Sequence, residues 1–475
     1  MKLTNLTGPM SGLMTALCVA ALVAAMPGAI LAQTPSGQNP PNQAAPAAEA
    51  NAKPAAVSAD DKAVIDDLTK KAEAGDIKAM TDLGNRYYKG DGVKQDDDQA
   101  AKWLKQAADT GDAEAQADYG DLFLFGNGVD ADKATAMAWY QKSAAQNNAD
   151  GQNSVAWMYE HGYSVKQDYA EAAKWYQLAA SQHYVPAINH LADLYYGGLG
   201  VKQDYVAAAK LYQEGADLGN GYSWSSMGDI YDNGYGVPKD PAKAVADYRK
   251  GADLGDCTGI YALGRAYEDG TTGLTADKDQ AFGWYAKGAD KSCAYSELAL
   301  GRFYSDGIGR DEDDGEAFKY IALAAIQGDR LGEERLGSSY YYGDFLPADE
   351  DQALKWYTKA ANSGESRAQY YVGYFNMKGI SVAADYAQAL TWFRRSAAQG
   401  DAWAQYQLGV MYENAMGVPQ DRATALGWYM LGAAQDDKDS ITAAERLKKT
   451  ASFGDVGKAQ ALVKAFIVVT EPDED

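Results

Sequence analysis

A catalytic or metal centre in this chain would have to be built from its three histidines, three cysteines and its serines, and their spacing builds none. His161, His183 and His190 have no Cys or His partner at metal spacing such as H-x3-H, so each reads as a solvated or packing residue. No serine has a lysine three positions later and no Lys-Thr-Gly follows, which removes serine–lysine acyl transfer. In the acid-rich loop 306–316, placing Gly315 at the invariant glycine of a calcium loop puts Arg310 at the first ligand position and Ile321 at the last. That loop reads as solvated and capping. The glycine-rich stretch 197–202 lacks a preceding strand and a Walker lysine, so it reads as a helix stop. No catalytic residue, cofactor site or metal set is expected, and the chain reads as a binding protein rather than an enzyme.

The balance of 43 Lys and Arg against 66 Asp and Glu gives a formal charge of −23, which repels nucleic acid and anionic membrane surfaces. Residues 1–32 have the layout of a secretory signal peptide: Lys2, an apolar run over 13–26, Pro27-Gly28, and Ala32 before Gln33. The run is shorter than the roughly 20 residues a membrane span needs, so no span is expected after cleavage. Cys18 follows Leu17, where a lipid-attachment motif wants a small residue. The expectation is an exported protein, periplasmic or secreted. Residues 33–59 are rich in Pro, Ala, Gln and Asn and read as a disordered linker.

Beyond the linker the chain repeats. Leu83-Gly84 returns as Tyr119-Gly120, Val155-Ala156, Leu191-Ala192, Met227-Gly228, Leu263-Gly264, Leu300-Gly301, Leu336-Gly337, Val372-Gly373 and Leu408-Gly409. The step is 36 residues, with a single extra residue assigned to the loop 269–273. Each unit reads as two helices. In the first, Gly84 and its equivalents let a neighbouring helix approach while Tyr87 fills the space beside them. The second starts at an Asp present in all ten copies, Asp96 through Asp421, which caps free N–H groups. Gln99, Glu171, Gln280, Glu316, Gln352 and Gln388 are placed to complete reciprocal capping boxes. Alanines stand four and twelve residues after every Asp. Trp103, Trp139, Trp175, Trp284, Trp356, Trp392 and Trp428 form an aromatic seam expected to wedge between units.

The predicted fold is therefore all-α, an α/α solenoid with ten repeats over 77–438. A capping helix over 60–76, with Asp60 as its cap, closes the N-terminal end. Two capping helices within 439–467, at 440–451 and 455–467, close the other, ahead of an acidic tail at 468–475.

The motif Ala-x-x-x-Leu-Gly-x-x-Tyr-x-x-Gly-x-Gly-Val-x-x-Asp-x-x-x-Ala-x-x-Trp-Tyr-x-x-Ala-Ala, seen almost whole over 79–108, resembles the SEL-one-like repeat (SLR) family, and the likeness runs over about 60–438. Tetratricopeptide repeats share Leu-Gly-x-x-Tyr but have a period of 34. The resemblance implies a right-handed superhelix whose concave face is lined by the first helix of each unit and receives protein partners. It implies no reaction. In cysteine-rich members of that family each disulfide joins the two sides of one inter-helix turn, and the matching positions here, around Ala252 and Ala289, hold no Cys. Cys257 and Cys293 stand at equivalent points of successive units, where packed helices lie about 8–10 Å apart, so one bridge and two reduced thiols both stay open.

Positions three before, one after and four after the repeated glycine share a helix face and vary between units, which makes them the expected concave stripe. They hold Trp157, Tyr261, Arg265, Arg302, Tyr341, Tyr370, Tyr374, Met377 and Tyr406, residue types that dominate binding energy. The expected function is a non-enzymatic scaffold for protein partners in the bacterial envelope or outside it; the alternative is a binder of cell-wall glycan or peptide fragments.

Overall fold

The computed structural model describes residues 58–470; the expected signal peptide, almost all of the expected linker and the last five residues of the acidic tail lie outside them. Among the described residues there are 23 helices and no strand. They divide into two compact units, 58–291 and 292–470. The first holds a capping helix, Ala59–Glu73, and six helix pairs from Ile77–Lys89 and Asp97–Asp109 to Cys257–Asp269 and Lys278–Ala289. The second holds four pairs, from Ala294–Ser305 and Asp314–Ile326 to Ala402–Glu413 and Arg422–Ala433, then Lys438–Lys448 and Phe453–Thr470.

The second helices start where the repeated Asp predicts. Asp96 accepts from the N–H of Gln99 at 2.9 Å, and Asp349 does the same for Gln352 at 3.0 Å. The reciprocal half of the expected capping boxes is not formed. The N–H of each capping Asp already donates to a first-helix carbonyl, Asp96 to Tyr87 at 3.0 Å and Asp168 to Tyr159 at 2.9 Å, so no side chain is needed there. Full boxes close the N-terminal helix, where the cap is Ser58 with Asp61 and not Asp60, and the last described helix, where Ser452 pairs with Asp455. At the other end, Asp437 caps a helix that begins two residues before the expected start at 440. Most first helices stop on a left-handed glycine such as Gly90, φ 71°. The second turn position is left-handed as well, Gly128 at φ 66° and Ser164 at φ 58°, and at Gly128 a Cβ would also strike the Asp97 carbonyl of the preceding repeat.

The expected seam is present, with a second layer beneath it. Of the seam tryptophans, those after Trp103 are half-buried and pack on the core of the preceding repeat, whereas the residue after each is more enclosed: Tyr140, Tyr176, Tyr285, Tyr357 and Phe393 are fully buried. That residue stands eight after the capping Asp, midway between the two repeated alanines, and i, i+4, i+8 share a face; the Trp is rotated off it by about 100°. Its ring, not Tyr87, occupies the place of the missing side chain on the first-helix glycine. A Cβ on Gly120 would lie 2.6 Å from Tyr140, and one on Gly373 2.8 Å from Phe393. Burying such a ring contributes about 2–3 kcal/mol. Four of these tryptophans lie under a cation one turn on, among them Trp139 under Lys142 at 3.5 Å and Trp392 under Arg395 at 4.7 Å.

Successive repeats are also joined by a ladder of amides. Gln146 donates to Gln116 at 2.9 Å, Gln182 to Gln152 at 2.8 Å, Gln399 to Gln369 at 2.9 Å and Gln435 to Gln405 at 2.9 Å.

Candidate interaction surface

In the first unit the expected stripe is mostly interior. Trp157 is 8% exposed, packed with Leu124, Met137 and Tyr140, and its ring lies 4.4 Å from His161 and 5.1 Å from Tyr163. It belongs to the core, and the expectation that it meets a partner is corrected. Tyr261 is half-buried, 5.8 Å from the Tyr285 ring, while Arg265 is exposed and paired with Asp269 at 3.3 Å.

The same stripe carries acids that receive the buried tyrosines of the second helices. Tyr140 donates to Asp121 at 2.7 Å, Tyr176 to Glu160 at 2.5 Å, Tyr248 to Asp229 at 2.7 Å and Tyr285 to Glu268 at 2.8 Å. Tyr212 and Tyr222 converge on Asp193 at 2.5 and 2.8 Å. Burial raises Asp121 well above the usual carboxylate range and pushes Asp229 up to about 6. Asp118 is pushed up to about 7 by burial, with Asp150 and Glu114 adding repulsion and the Asn85 amide, which donates to it at 2.8 Å, opposing.

The second unit arranges the stripe differently. Arg302 is exposed, and Met377, 6% exposed, is core rather than surface because it packs with Leu390 and Phe393. Tyr341, Tyr370, Tyr374 and Tyr406 are half-buried. The structure brings the first three into one cluster with residues the stripe did not include. Tyr342 is 57% and Trp403 43% exposed. Ring centroids step from Tyr342 to Tyr371 at 6.5 Å, to Tyr370 at 5.2 Å and to Trp403 at 5.6 Å. The Tyr342 and Tyr371 hydroxyls share a 2.6 Å hydrogen bond. Arg367 lies over Trp403 at 5.0 Å. Arg367 and Trp403 both stand six before the repeated glycine, so a stripe extended one turn toward the helix start would have found them.

The remaining candidates are dispersed. His161 meets the Trp157 carbonyl at 3.0 Å, His183 meets Glu214 at 2.8 Å, and His190 is buried in a stack on Tyr176 at 4.8 Å. Among the described residues no three His, Cys, Asp or Glu are grouped to hold a metal ion. No described helix is long and apolar enough to cross a membrane. Cys257 is the first residue of its helix in the first unit; Cys293 is the buried N-cap of Ala294–Ser305 in the second.

The Sel1 repeat model matches ten segments: 77–112, 113–148, 149–184, 185–220, 226–256, 258–293, 294–329, 331–365, 366–401 and 404–437. Among solved structures the chain is similar to c5321, described as a protective antigen present in uropathogenic Escherichia coli strains and displaying an SLR fold. That match has 31% identity over 85% of this chain and 86% of that one, with a TM-score of 0.51. A Sel1 repeat protein from Oxalobacter formigenes matches at 30% identity over 48% of this chain and 99% of that one, TM-score 0.43. No curated protein matches. Sel1 repeats generally mediate protein–protein interactions. With ten consecutive repeats over 77–437, on helix pairs whose caps, glycines and alanines recur in register, the chain belongs to the Sel1 repeat family.

Proposed function

We propose that this protein is an exported, non-catalytic adaptor that holds a protein partner on the first-helix face of repeats 8 to 10. Two large aromatic side chains, Trp403 and Tyr342, stand exposed beside Arg367, whereas the aromatics of the stripe itself are buried wholly or in part. Trp, Tyr and Arg are the residues enriched where binding energy concentrates. In the first unit the buried tyrosine hydroxyls end on stripe carboxylates, whereas Trp403 and Tyr342 keep about half of their surface open to solvent.

A photo-crosslinking residue at 403, in cells of the source organism, is expected to capture a discrete protein from the envelope or medium. The same residue at Leu178, an exposed position on a second helix, is expected to capture none. Equal labelling at both positions, or none at 403, would overturn the proposal.

A further inference from the structure

Among the described residues of the first unit, the buried side chains left without a hydrogen-bond partner are two neighbours on the first helix of repeat 3, Asn153 and Ser154. Buried polar groups are almost always paired, so each needs an account. By register Asn153 faces Tyr184 and Ala187, in place of the Asn220 and Ser223 that engage Asn189 one repeat on, and its orphaned amide is a local loss. Ser154 is different. In repeats 4 and 5, Asp193 takes two tyrosine hydroxyls, Tyr212 at 2.5 Å and Tyr222 at 2.8 Å, and Ser226 bonds to Tyr222 in turn. The same four positions two repeats earlier hold Asp121, Tyr140, Asp150 and Ser154. Tyr140 still donates to Asp121 at 2.7 Å, but a carboxylate stands where the second donor was. Ser154 is 1% exposed.

A second contact in register gives the same direction. Asn85 donates to Asp118 at 2.8 Å across the first helices of repeats 1 and 2, and one repeat on the same two positions are Asp121 and Ser154. The orphaned hydroxyl is thus aimed at a pair of carboxyls, Asp118 and Asp121, that are 8% and 4% exposed. The charges that bear on the pair are Asp150 and Glu114 against Lys89, which is exposed. Beside them lies a cavity of about 10 Å³ lined by Asn85, Tyr88, Lys89, Asp118 and Asp121. That is room for one water-sized polar head, which admits an ammonium and not the three nitrogens of a guanidinium.

We infer that repeats 1 to 3 hold a binding site for a primary ammonium group, which donates to Asp118, Asp121 and the Ser154 hydroxyl and does for Asp121 what the Tyr222 hydroxyl does for Asp193. The stem of the amine leaves past Tyr88. Because a bound cation favours the charged carboxylates, Asp118, held at about 7 by burial, gives up its proton on binding, and affinity rises from pH 5 to pH 8. The site lies on the first unit and is independent of the adaptor reading on repeats 8 to 10.

The test is calorimetric titration of the full chain with the blocked peptide Ala-Ala-Lys-Ala-Ala, its Arg and Gln counterparts, butylamine and calcium chloride. The Lys peptide or butylamine is expected to bind at least ten times more tightly than the Arg and Gln peptides, more tightly at pH 8 than at pH 5, and with protons released to the buffer. Binding of butylamine as tight as that of the Lys peptide identifies a free amine as the ligand; binding of the Lys peptide alone identifies a partner's lysine. Ser154→Ala, which removes no hydrogen bond, should weaken binding by about tenfold with the unfolding temperature unchanged. Asp150→Tyr, which puts the residue of repeat 5 into repeat 3, should abolish it. The inference is overturned if the Arg or Gln peptide serves as well, if only calcium binds, if nothing binds, or if both variants bind as the parent does.

Discussion

In the first unit the hydroxyls of Tyr140, Tyr212 and Tyr248 each end on the aspartate that follows the repeated position, Asp121, Asp193 or Asp229. In the second unit the matching ring Tyr357 ends on Ser338 at 3.0 Å and Phe393 has no hydroxyl; Tyr429 ends on Glu413, which Arg446 holds bidentately at 2.6 and 2.7 Å. The scaffold position is one and the same, yet its hydroxyl ends on a stripe carboxylate in five of the first unit's six repeats and in one of the second unit's four. Arginine follows the same division: Arg302, Arg310, Arg330, Arg335, Arg367, Arg394, Arg395, Arg422 and Arg446 lie in the second unit, against Arg86, Arg249 and Arg265 in the first. A face whose polar groups are satisfied internally has little left to offer a partner.

The largest effect that separates the two faces is expected from tryptophan. Trp157→Ala empties a core site and should destabilise the first unit by about 3–5 kcal/mol. Trp403→Ala should move stability by less than about 0.5 kcal/mol, as exposed positions do. Chemical denaturation of both variants reads the difference, and similar losses would erase the distinction between a core stripe and a presented one.

Next comes pH. Asp118 stands at about 7 in the fold against about 3.9 unfolded, so its value is raised. The stability of its protonated form is complete below about pH 4 and lost as pH rises through about 7. With Asp121 and Asp229 raised as well, amide exchange in the first unit should quicken between pH 5 and 8 by more than the intrinsic base dependence, by the equivalent of roughly 2 kcal/mol. In the second unit Glu297, also near 7 through burial, should give a smaller dependence. Asp118→Asn is expected to flatten the first-unit response; an unchanged slope would remove the buried acids as its cause.

Most of the scaffold was legible because the residues that make it repeat. Asp at the second-helix cap, glycine at the first-helix stop and the 36-residue step each satisfy a backbone need that every copy shares. The tyrosine core was legible in principle, since the two alanines on either side of position eight fix its face, but the larger Trp beside it drew the assignment. The stripe was harder. Trp157 and Arg302 occupy the same repeat position and differ in burial because neighbouring repeats supply different walls, and a wall is a property of three helices rather than of one residue. The amide ladder joins glutamines 30 residues apart, a spacing that no single-helix pattern contains.

The smallest expected effect isolates the hydroxyl itself. Tyr140→Phe keeps the ring against Gly120 and removes only the donor to Asp121, leaving a carboxyl that is 4% exposed without that partner. An orphaned buried acceptor costs about 1–3 kcal/mol, and the charged form loses most, so the penalty should grow from pH 5 to pH 8. Tyr357→Phe removes a bond to Ser338, whose hydroxyl keeps Glu334 as its acceptor, and should cost under about 1 kcal/mol at either pH. Urea denaturation of the two variants at both pH values separates them. If the substitutions cost the same and neither responds to pH, the tyrosine–aspartate bonds are not what sets the first unit's stripe apart, and the contrast must be sought in packing alone.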